Sequence, residues 1–471
     1  MSFFEPDYNY DENADMNSEI SKEIERCRQL VDESGIYSCI DTVEDTIQTC
    51  IDHYLYEDGV YLVDKLLEVS PYNSEYWVKK GALLNGLYRF GEAIICYNKA
   101  LSLNPGDPDA LIERAAAEEN LGLMEDAKES LETALEQEPN NEESLFNLGL
   151  LYQKGGNFEV ASEFFTRAIQ NDPGFSDAYF ELGFCFENLD HNERALEAYD
   201  KFIDAEPYNS NGWYNRGVVL TKLGRLEQAI DSYELAIAIK DDFAGAWFNK
   251  GNLLADLGRY QQAIDCFREA FKIDKFDEAS CYNIANIYEE LGEINKAIDY
   301  YSRSININEK YYEAYLARGF CYDSAGKFQL ALKDFNKAIS LYQDRADAWY
   351  AKADLEYSLG KLQEAIRSYR KAAKIEPANY EIWFNLAETL FEMGDWLEAE
   401  KAFDECIRIS PDDASSYYGK AKINFILSRT QEAVECLKKA FVIDPDIKSE
   451  FAKEYPEIKS SKLFRKLLGE L

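Results

Sequence analysis

Short apolar stripes recur along most of this chain at helical spacing. Between Asn249 and Asp274, apolar residues three and four positions apart fall into two blocks that Gly258 separates. Such spacing places apolar side chains on one face of each of two helices, and the intervening glycine favours a turn. We therefore predict a helix, a turn and a second helix, whose apolar residues are Leu253, Leu254 and Leu257, then Ala263, Ile264, Phe267, Ala270 and Phe271.

This pattern returns every 34 residues without an insertion. Position 20 of the repeat is alanine in all eleven copies, from Ala93 to Ala433. A fixed period predicts that every repeat contacts its neighbours in the same geometry, and that stacking buries the apolar face that a single repeat leaves open. Position 1 of repeats 1 to 11 falls at Ser74, Pro108, Glu142, Ser176, Ser210, Ala244, Glu278, Tyr312, Ala346, Tyr380 and Ala414.

Other repeat positions are equally restricted. Position 8 is Gly or Ala in every repeat, and the small residues at positions 8 and 20 predict close helix approach, with the residue at position 24 filling the space above them. Glycine holds position 15 in eight repeats, where the first helix is expected to end with φ > 0, a conformation that costs other residues about 1 kcal/mol. Five of the six tryptophans fall at position 4: Trp77, Trp213, Trp247, Trp349 and Trp383.

These columns, with proline at position 32 in seven repeats, resemble the tetratricopeptide repeat over residues 74–447. The resemblance implies an all-α fold, a right-handed superhelical α-solenoid of stacked helix-turn-helix units. It also implies that the first helices line a concave groove, into which positions 2, 5, 6, 9, 12 and 13 point. Repeats 5 to 8 lack the proline, so we expect their second helices to run slightly longer.

Four segments are predicted. Residues 1–17 read as an acidic disordered N-terminus, and 18–73 as a capping helix followed by a degenerate repeat in which Gly59 replaces the alanine. Residues 74–447 hold the eleven tandem repeats. Residues 448–471 read as a closing helix and a tail that is basic around Lys459, Lys462, Arg465 and Lys466.

The formal net charge of −38 restricts the partners. Nucleic acid and anionic membrane are disfavoured, because both need clustered Lys and Arg, whereas basic proteins or peptides would be attracted. An alternative is that the acidic residues only keep a long, aromatic-rich array in solution.

Cysteine usage and the first residues predict a cytoplasmic location. The ten cysteines show no C-x-x-C pair, and neither histidine lies near two of them, so we expect free thiols and no metal site. The opening residues have no positive n-region or apolar h-region, and no apolar run is long enough to span a bilayer.

Catalysis is not expected from the sequence. None of the P-loop, dinucleotide-binding, zinc-protease or nucleophile-elbow motifs occurs, and acidic pairs on a solvated helix are usually only surface. The prediction is a chain that is not an enzyme and that binds no cofactor.

The candidate binding residues are those that the resemblance places in the concave groove. Asparagine recurs at position 6, and two interpretations stay open: the amides hold the backbone of an extended partner, or they bond between neighbouring repeats. Around them lie aromatic residues at position 5 and acids from repeat 6 onward, a lining that favours a basic segment. The candidates are Asn147, Asn215, Asn249, Asn283 and Asn385; Tyr214, Phe248, Tyr282, Tyr350 and Phe384; and Asp256, Glu289, Glu290, Asp323, Asp354, Glu388 and Glu392.

One function of the family is disfavoured. Members that bind chaperone tails hold the terminal carboxylate with lysine at position 5, and no repeat has lysine there. At position 9 only Asn252 and Asn286 match that clamp. The leading hypothesis is a non-enzymatic scaffold or adaptor that binds a partner polypeptide in the groove. The alternative is a regulatory or targeting subunit of a separate enzyme, which uses its convex face or its C-terminal tail.

Overall fold

A computed structural model describes residues 12–454 of the chain. In these residues it contains α-helices, one short 3-10 turn at Ile36–Ser38 and no β-strand. The helices are α1 Glu12–Ser34, α2 Ile40–Asp52, α3 Tyr56–Val69, α4 Ser74–Gly86, α5 Phe90–Leu103, α6 Pro108–Asn120, α7 Met124–Gln137, α8 Glu142–Lys154, α9 Phe158–Asn171, α10 Ser176–Asn188, α11 Asn192–Ala205, α12 Ser210–Lys222, α13 Leu226–Ile239, α14 Ala244–Asp256, α15 Tyr260–Ile273, α16 Glu278–Glu290, α17 Ile294–Ile307, α18 Tyr312–Ser324, α19 Phe328–Leu341, α20 Ala346–Ser358, α21 Leu362–Ile375, α22 Tyr380–Met393, α23 Trp396–Ile409, α24 Ala414–Ile426, α25 Thr430–Ile443 and α26 Asp446–Glu454.

The chain divides into two compact units, Met1–Asp241 and Asp242–Leu471. Helices α1 to α13 belong to the N-terminal unit and α14 to α26 to the C-terminal unit. Within each unit, every helix contacts the next one along the chain. Each unit is thus a run of stacked helix pairs, as the all-α solenoid prediction requires.

The turn inside each repeat has one backbone conformation. Position 15 has a φ between 56° and 84° in all eleven repeats and at the equivalent Tyr54. Eight of these residues are the glycines that the sequence singled out, and the others are Tyr54, Tyr88, Asp190 and Ser428. The prediction that the first helix ends with φ > 0 is confirmed, and it extends to four residues for which this conformation is strained.

The two helices of a repeat are held together by the residue at position 24. Phe165 is fully buried, and its ring lies against the backbone at Gly149, where an added Cβ would come within 2.5 Å of it. At Gly217, an added Cβ would likewise come within 2.6 Å of the Tyr233 ring. The small residue at position 8 therefore makes room for the ring.

Consecutive repeats are joined by the tryptophans at position 4. The indole N–H of Trp213 donates to the carbonyl oxygen of Pro207 at 2.9 Å, and that of Trp383 donates to Pro377 at 3.1 Å. In both cases the acceptor lies at position 32 of the preceding repeat. A single side chain thus fixes the loop between two repeats.

Cations at position 7 add a second connection that the sequence analysis missed. Arg318 donates to both carboxylate oxygens of Asp334, at 2.7 and 2.9 Å, and to the Ser302 hydroxyl of the preceding repeat at 2.9 Å. Arg216 likewise donates to Asp200 of the preceding repeat at 2.7 Å. Asp334 is buried, so its carboxylate depends on this bidentate pairing.

The second helices of repeats 5 to 8 are not longer, so the expectation drawn from the missing proline is wrong. Helices α13, α15, α17 and α19 have 14 residues each, as do the second helices that precede a proline. In both groups the N–H at position 31 donates to the carbonyl at position 27, as Lys240 does to Ala236 and Glu376 does to Ala372. Position 31 then leaves the helical conformation, with ψ of 98° at Lys240 and 76° at Glu376, so the helix ends there with or without proline.

Both ends of the array carry additional helices. Helix α1 buries Ile24 and Val31 against the degenerate repeat formed by α2 and α3, and α26 inserts Phe451 beside Phe425 and Phe441 of the last repeat. Helix α1 begins at Glu12, inside the stretch predicted to be disordered. Residues 1–11 and the basic tail with Lys459, Lys462, Arg465 and Lys466 lie outside the described residues, and the four-segment division stays a prediction.

Position 15 offers a test of backbone strain. Gly258 has a φ of +71°, and an added Cβ would meet no atom within 4 Å. We therefore expect Gly258→Val to lower the free energy of unfolding by about 1–3 kcal/mol through backbone strain alone. Gly258→Asn should cost less, because asparagine adopts this conformation more readily. Urea unfolding followed by circular dichroism measures both, and equal losses would contradict the explanation.

Asn424 offers a test with the opposite sign. Its side chain is 1 % exposed, and neither its amide nitrogen nor its amide oxygen has a hydrogen-bond partner among the described residues. Four other repeats carry leucine at this position 11, as at Leu390. We expect Asn424→Leu to raise the free energy of unfolding by about 1–3 kcal/mol, and Leu390→Asn to lower it. A loss of stability in Asn424→Leu, measured by urea unfolding, would show that the amide is satisfied.

Candidate functional site

All of the predicted binding residues lie on first helices. Asn147, Tyr214 and Asn215 belong to the N-terminal unit, and the others belong to the C-terminal unit. We use the name first-helix surface for the face that carries positions 5, 6, 9, 12 and 13 of these helices. The N-terminal unit and the C-terminal unit each carry part of this surface.

The aromatic residues at position 5 pack inside their own repeats. The ring centroid of Phe248 lies 5.5 Å from that of Phe267, and the pairs Tyr214–Tyr233 and Tyr282–Tyr301 have similar separations of 5.8 and 5.5 Å. Tyr350 and Phe384 form the same pair with position 24 of their repeats. All five position 5 rings remain half-buried, so each keeps part of its area open to solvent.

Two of the position 6 asparagines connect neighbouring repeats. Asn283 donates to the Oδ1 of Asn252 in the preceding repeat at 2.9 Å, and Asn385 donates to the Tyr350 hydroxyl at 2.8 Å. The inter-repeat interpretation therefore holds for these two. An asparagine amide has a second N–H and an acceptor oxygen, so one such bond leaves capacity for a ligand. Asn147, Asn215 and Asn249 are half-buried at the same position.

A cavity of about 380 Å³ opens between α14 and α16 on the first-helix surface. Three of the predicted residues, Asn283, Asp256 and Glu290, line it together. Asn252 and Asn286 join them, although the sequence had suggested these two only as partial matches to the chaperone-tail clamp. The result is a polar recess with three amides and two carboxylates, which has room for one long side chain.

Tyrosine hydroxyls hold the acids of this surface. The Tyr301 hydroxyl lies 2.6 Å from the Glu289 Oε2 and 2.6 Å from the Asn286 Oδ1, and its single O–H donates to one of the two at a time. Glu290 accepts from Tyr260 at 2.6 Å. Sequence reasoning missed these donors, but for Tyr301 a signal exists: position 24 is tyrosine in five repeats, and a buried tyrosine needs an acceptor within reach.

The same pairing recurs further along the C-terminal unit. Tyr369 donates to Asp354, and Tyr357 donates to Glu392 at 2.6 Å. The hydrogen bond to Glu392, with desolvation, raises the pKa of Tyr357 to about 12. These tyrosines therefore stay protonated near neutral pH and fix the carboxylates in place.

Neighbouring carboxylates on the first-helix surface repel one another at Asp354. The pKa of Asp354 is raised by desolvation of its carboxylate, against the hydrogen bond from Tyr369, and the charges of Asp323 and Glu381 raise it further. Asp354 as a whole is nevertheless exposed, so a ligand can reach it. A cation placed here would relieve the repulsion. Asp323 and Glu388 are half-buried on α18 and α22, and neither lines the cavity.

The described residues contain no group of three or more His, Cys, Asp or Glu side chains that could hold a metal ion. All ten cysteines carry free thiols, and burial raises the pKa of Cys50 and Cys185 to about 12. Among helices α1 to α26, none combines the length and apolar character needed to cross a membrane.

Comparisons with known proteins identify the repeat. Models described as tetratricopeptide repeat match residues 74–107, 112–174, 164–197, 210–243, 244–277, 277–345 and 379–445, and one described as TPR repeat matches 353–394. No curated protein sequence matches the chain.

Similar solved structures include three with different coverage. A tetratricopeptide repeat protein from Parabacteroides merdae is 18 % identical, with 53 % of this chain and 98 % of that one covered and a TM-score of 0.40. YrrB, titled a TPR protein with an unusual peptide-binding site, is 24 % identical over 39 % and 94 %, with a TM-score of 0.34. The APC/C hetero-tetramer Cut9–Hcn1 is 15 % identical over 86 % and 93 %, with a TM-score of 0.36.

The position 6 residue of repeat 4 gives a pH test. Glu181 accepts from the Gln153 amide of the preceding repeat at 2.7 Å, yet desolvation raises its pKa and Asp177 raises it further. Its carboxylate therefore holds a proton more tightly in the folded chain than in the unfolded one. The free energy of unfolding should therefore rise as the pH falls from above the raised pKa of Glu181 to the ordinary pKa of a glutamate.

Replacing the carboxylate should remove this effect. We expect Glu181→Gln to raise the urea midpoint at neutral pH and to flatten its pH dependence above the ordinary glutamate range. Glu163→Gln, at an exposed site on α9, serves as the control and should leave the profile unchanged. Parallel profiles for Glu181→Gln and the parent chain would contradict the assignment.

Proposed function

Because the chain belongs to the tetratricopeptide repeat family, whose arrays act as protein-interaction scaffolds, we propose that its first-helix surface binds a basic, extended segment of a partner polypeptide. The observation that carries the proposal is the cavity between α14 and α16. Its walls combine amide groups, which suit a peptide backbone, with carboxylates that suit a cationic side chain.

The amides of the cavity support backbone recognition. Asn283 donates one N–H to Asn252, and its second N–H and its side-chain carbonyl oxygen can bind a partner. A peptide backbone offers one donor and one acceptor per residue, so such an amide can bind it without reading its side chains.

The carboxylates of the cavity support a cationic partner. Asp256 and Glu290 are exposed at the ends of α14 and α16, and Tyr260 orients Glu290 by donating to it. An arginine guanidinium can bind carboxylates through two parallel hydrogen bonds and can stack on aromatic faces. The half-buried rings of Phe248 and Tyr282 lie one position before Asn249 and Asn283 on the same surface, although neither ring lines the cavity.

The proposal includes a place in the cytoplasm and no catalytic role. Free thiols persist in a reducing compartment, and the ten cysteines are all unpaired. The net charge of −38 favours encounter with a basic partner at low ionic strength.

Isothermal titration with two peptides tests the proposal. One peptide alternates arginine with alanine, and the other replaces each arginine by glutamate. We expect heat of binding only with the arginine peptide. The double variant Asp256→Asn with Glu290→Gln should weaken that binding about three- to tenfold, because it removes two solvent-accessible charge pairs while keeping the size of both side chains.

A matched double variant controls for net charge. Asp299→Asn with Glu309→Gln removes two exposed acids on or beside α17, away from the cavity, and should change the affinity by less than about twofold. Equal losses in the two double variants would leave only a nonspecific charge effect, and a flat response to both peptides would eliminate the proposal.

A further inference from the structure

The second helices of repeats 8 and 9 carry an exposed cluster of cations in an otherwise acidic chain. We name it the basic outer patch. On α21 the exposed cations are spaced by three or four residues, which places them on one helix face, and two more lie on α19. The patch consists of Lys333 and Lys337 on α19, and Arg367, Arg370, Lys371 and Lys374 on α21.

Most of these cations lack an acidic partner. Arg370 lies 3.6 Å from Glu398, and Lys337 lies 5.9 Å from the Tyr315 ring centroid. Among the described residues, the remaining four form no ion pair. Exposed cations without an ion pair also occur elsewhere among the described residues, as at Lys99 and Arg167, but these two lie in separate repeats. Four of them in two adjacent repeats mark a distinct surface.

The charge at one repeat position reverses where the patch begins. Position 22 is acidic in each of repeats 2 to 7, ending with Asp265 and Asp299, and is then Lys333, Arg367 and Lys401 in repeats 8 to 10. Helix packing does not require this change, because the position is solvent-exposed on both sides of the reversal, at Asp299 and at Lys333. Solubility alone does not explain it either, since the earlier repeats use acids there.

An apolar side chain extends the patch on α19. Leu330 is 43 % exposed and precedes Lys333 and Lys337 by three and seven residues, which puts the three side chains on one face. Interaction surfaces on proteins commonly combine an exposed apolar side chain with charged groups around it. This face is carried by second helices and is separate from the first-helix surface.

We propose that the basic outer patch binds an acidic segment of a partner polypeptide. Guanidinium groups suit carboxylates through paired hydrogen bonds, and a cation face at helical spacing matches an acidic segment of similar length. A short acidic segment can lie on the patch alone. At 0.1 M salt, repulsion from acidic side chains more than about 10 Å away is largely screened. Long polyanions such as nucleic acid or an anionic membrane would also meet the acidic surroundings, which opposes their binding.

Fluorescence anisotropy with a labelled oligo-glutamate peptide tests this proposal. The parent chain should bind the peptide, with affinity that falls as salt increases. The triple variant Arg367→Glu, Lys371→Glu and Lys374→Glu should lose at least about tenfold in affinity. Circular dichroism of the variant should match the parent, since the three side chains are exposed.

A matched triple variant gives the control. Lys99, Arg167 and Lys201 are exposed cations at position 26 of second helices in the N-terminal unit, and their change to Glu alters the net charge by the same amount. We expect this variant to bind oligo-glutamate within about twofold of the parent. Equal losses in the two triple variants would overturn the proposal.

Three further outcomes would also overturn it. These are no oligo-glutamate binding at low ionic strength, binding of phosphatidylserine vesicles or of single-stranded DNA that the patch variant abolishes, and a concentration-dependent dimer of the chain alone that the patch variant abolishes. Binding of the arginine peptide should survive in the patch variant, so this proposal and the proposed function can fail separately.

Discussion

The structure depends on one constraint: neither helix of a repeat can bury its apolar face alone. The ring at position 24 fills the space between the two helices, as Phe267 does above Gly251 and Ala263, and all three residues are buried. The remaining apolar area is covered only by the next repeat, so the repeats must stack at a constant spacing. This explains why the repeats admit no insertion and why additional helices, α1 and α26, close the two ends.

Polar contacts between repeats then determine what the surfaces can do. Trp213 fixes the preceding loop, and Arg318 pairs with the buried Asp334 while reaching Ser302 of the preceding repeat. These contacts hold neighbouring repeats together. On the first-helix surface, Asn283 and Asn385 are only partly engaged, because each amide has a second N–H and an acceptor oxygen beyond the bond that it donates. The hydrogen-bonding groups that remain open on the first-helix surface, together with its negative charge, support the proposed binding of a basic segment. The exposed cations of α21 support the second proposal, binding of an acidic segment on the second helices.

Much of the fold could be predicted because its determinants are local. Gly258 needs a positive φ whatever its surroundings, and the same turn forms at Tyr88 and Asp190, where glycine is absent. The expectation of longer second helices failed because proline is not what ends them; Lys240 donates to Ala236 as Glu376 does to Ala372, with proline following only the latter. The candidate site was less predictable. Asn283 and Asp256 were found from their columns, but their neighbours in the cavity, Asn252 and Asn286, were not assigned to it.

The sequence by itself determined the repeat, its period, its two helices and the face on which each residue lies, because helical spacing and backbone preference are properties of short segments. Only the tertiary structure decided which side chains meet across repeats. Asn283 bonds to Asn252 and Asn385 bonds to Tyr350. Such pairs lie about one period apart in sequence, and their contact depends on how one repeat is rotated and shifted against the next. That geometry is set by the combined packing of many buried side chains, so no single column of the sequence encodes it.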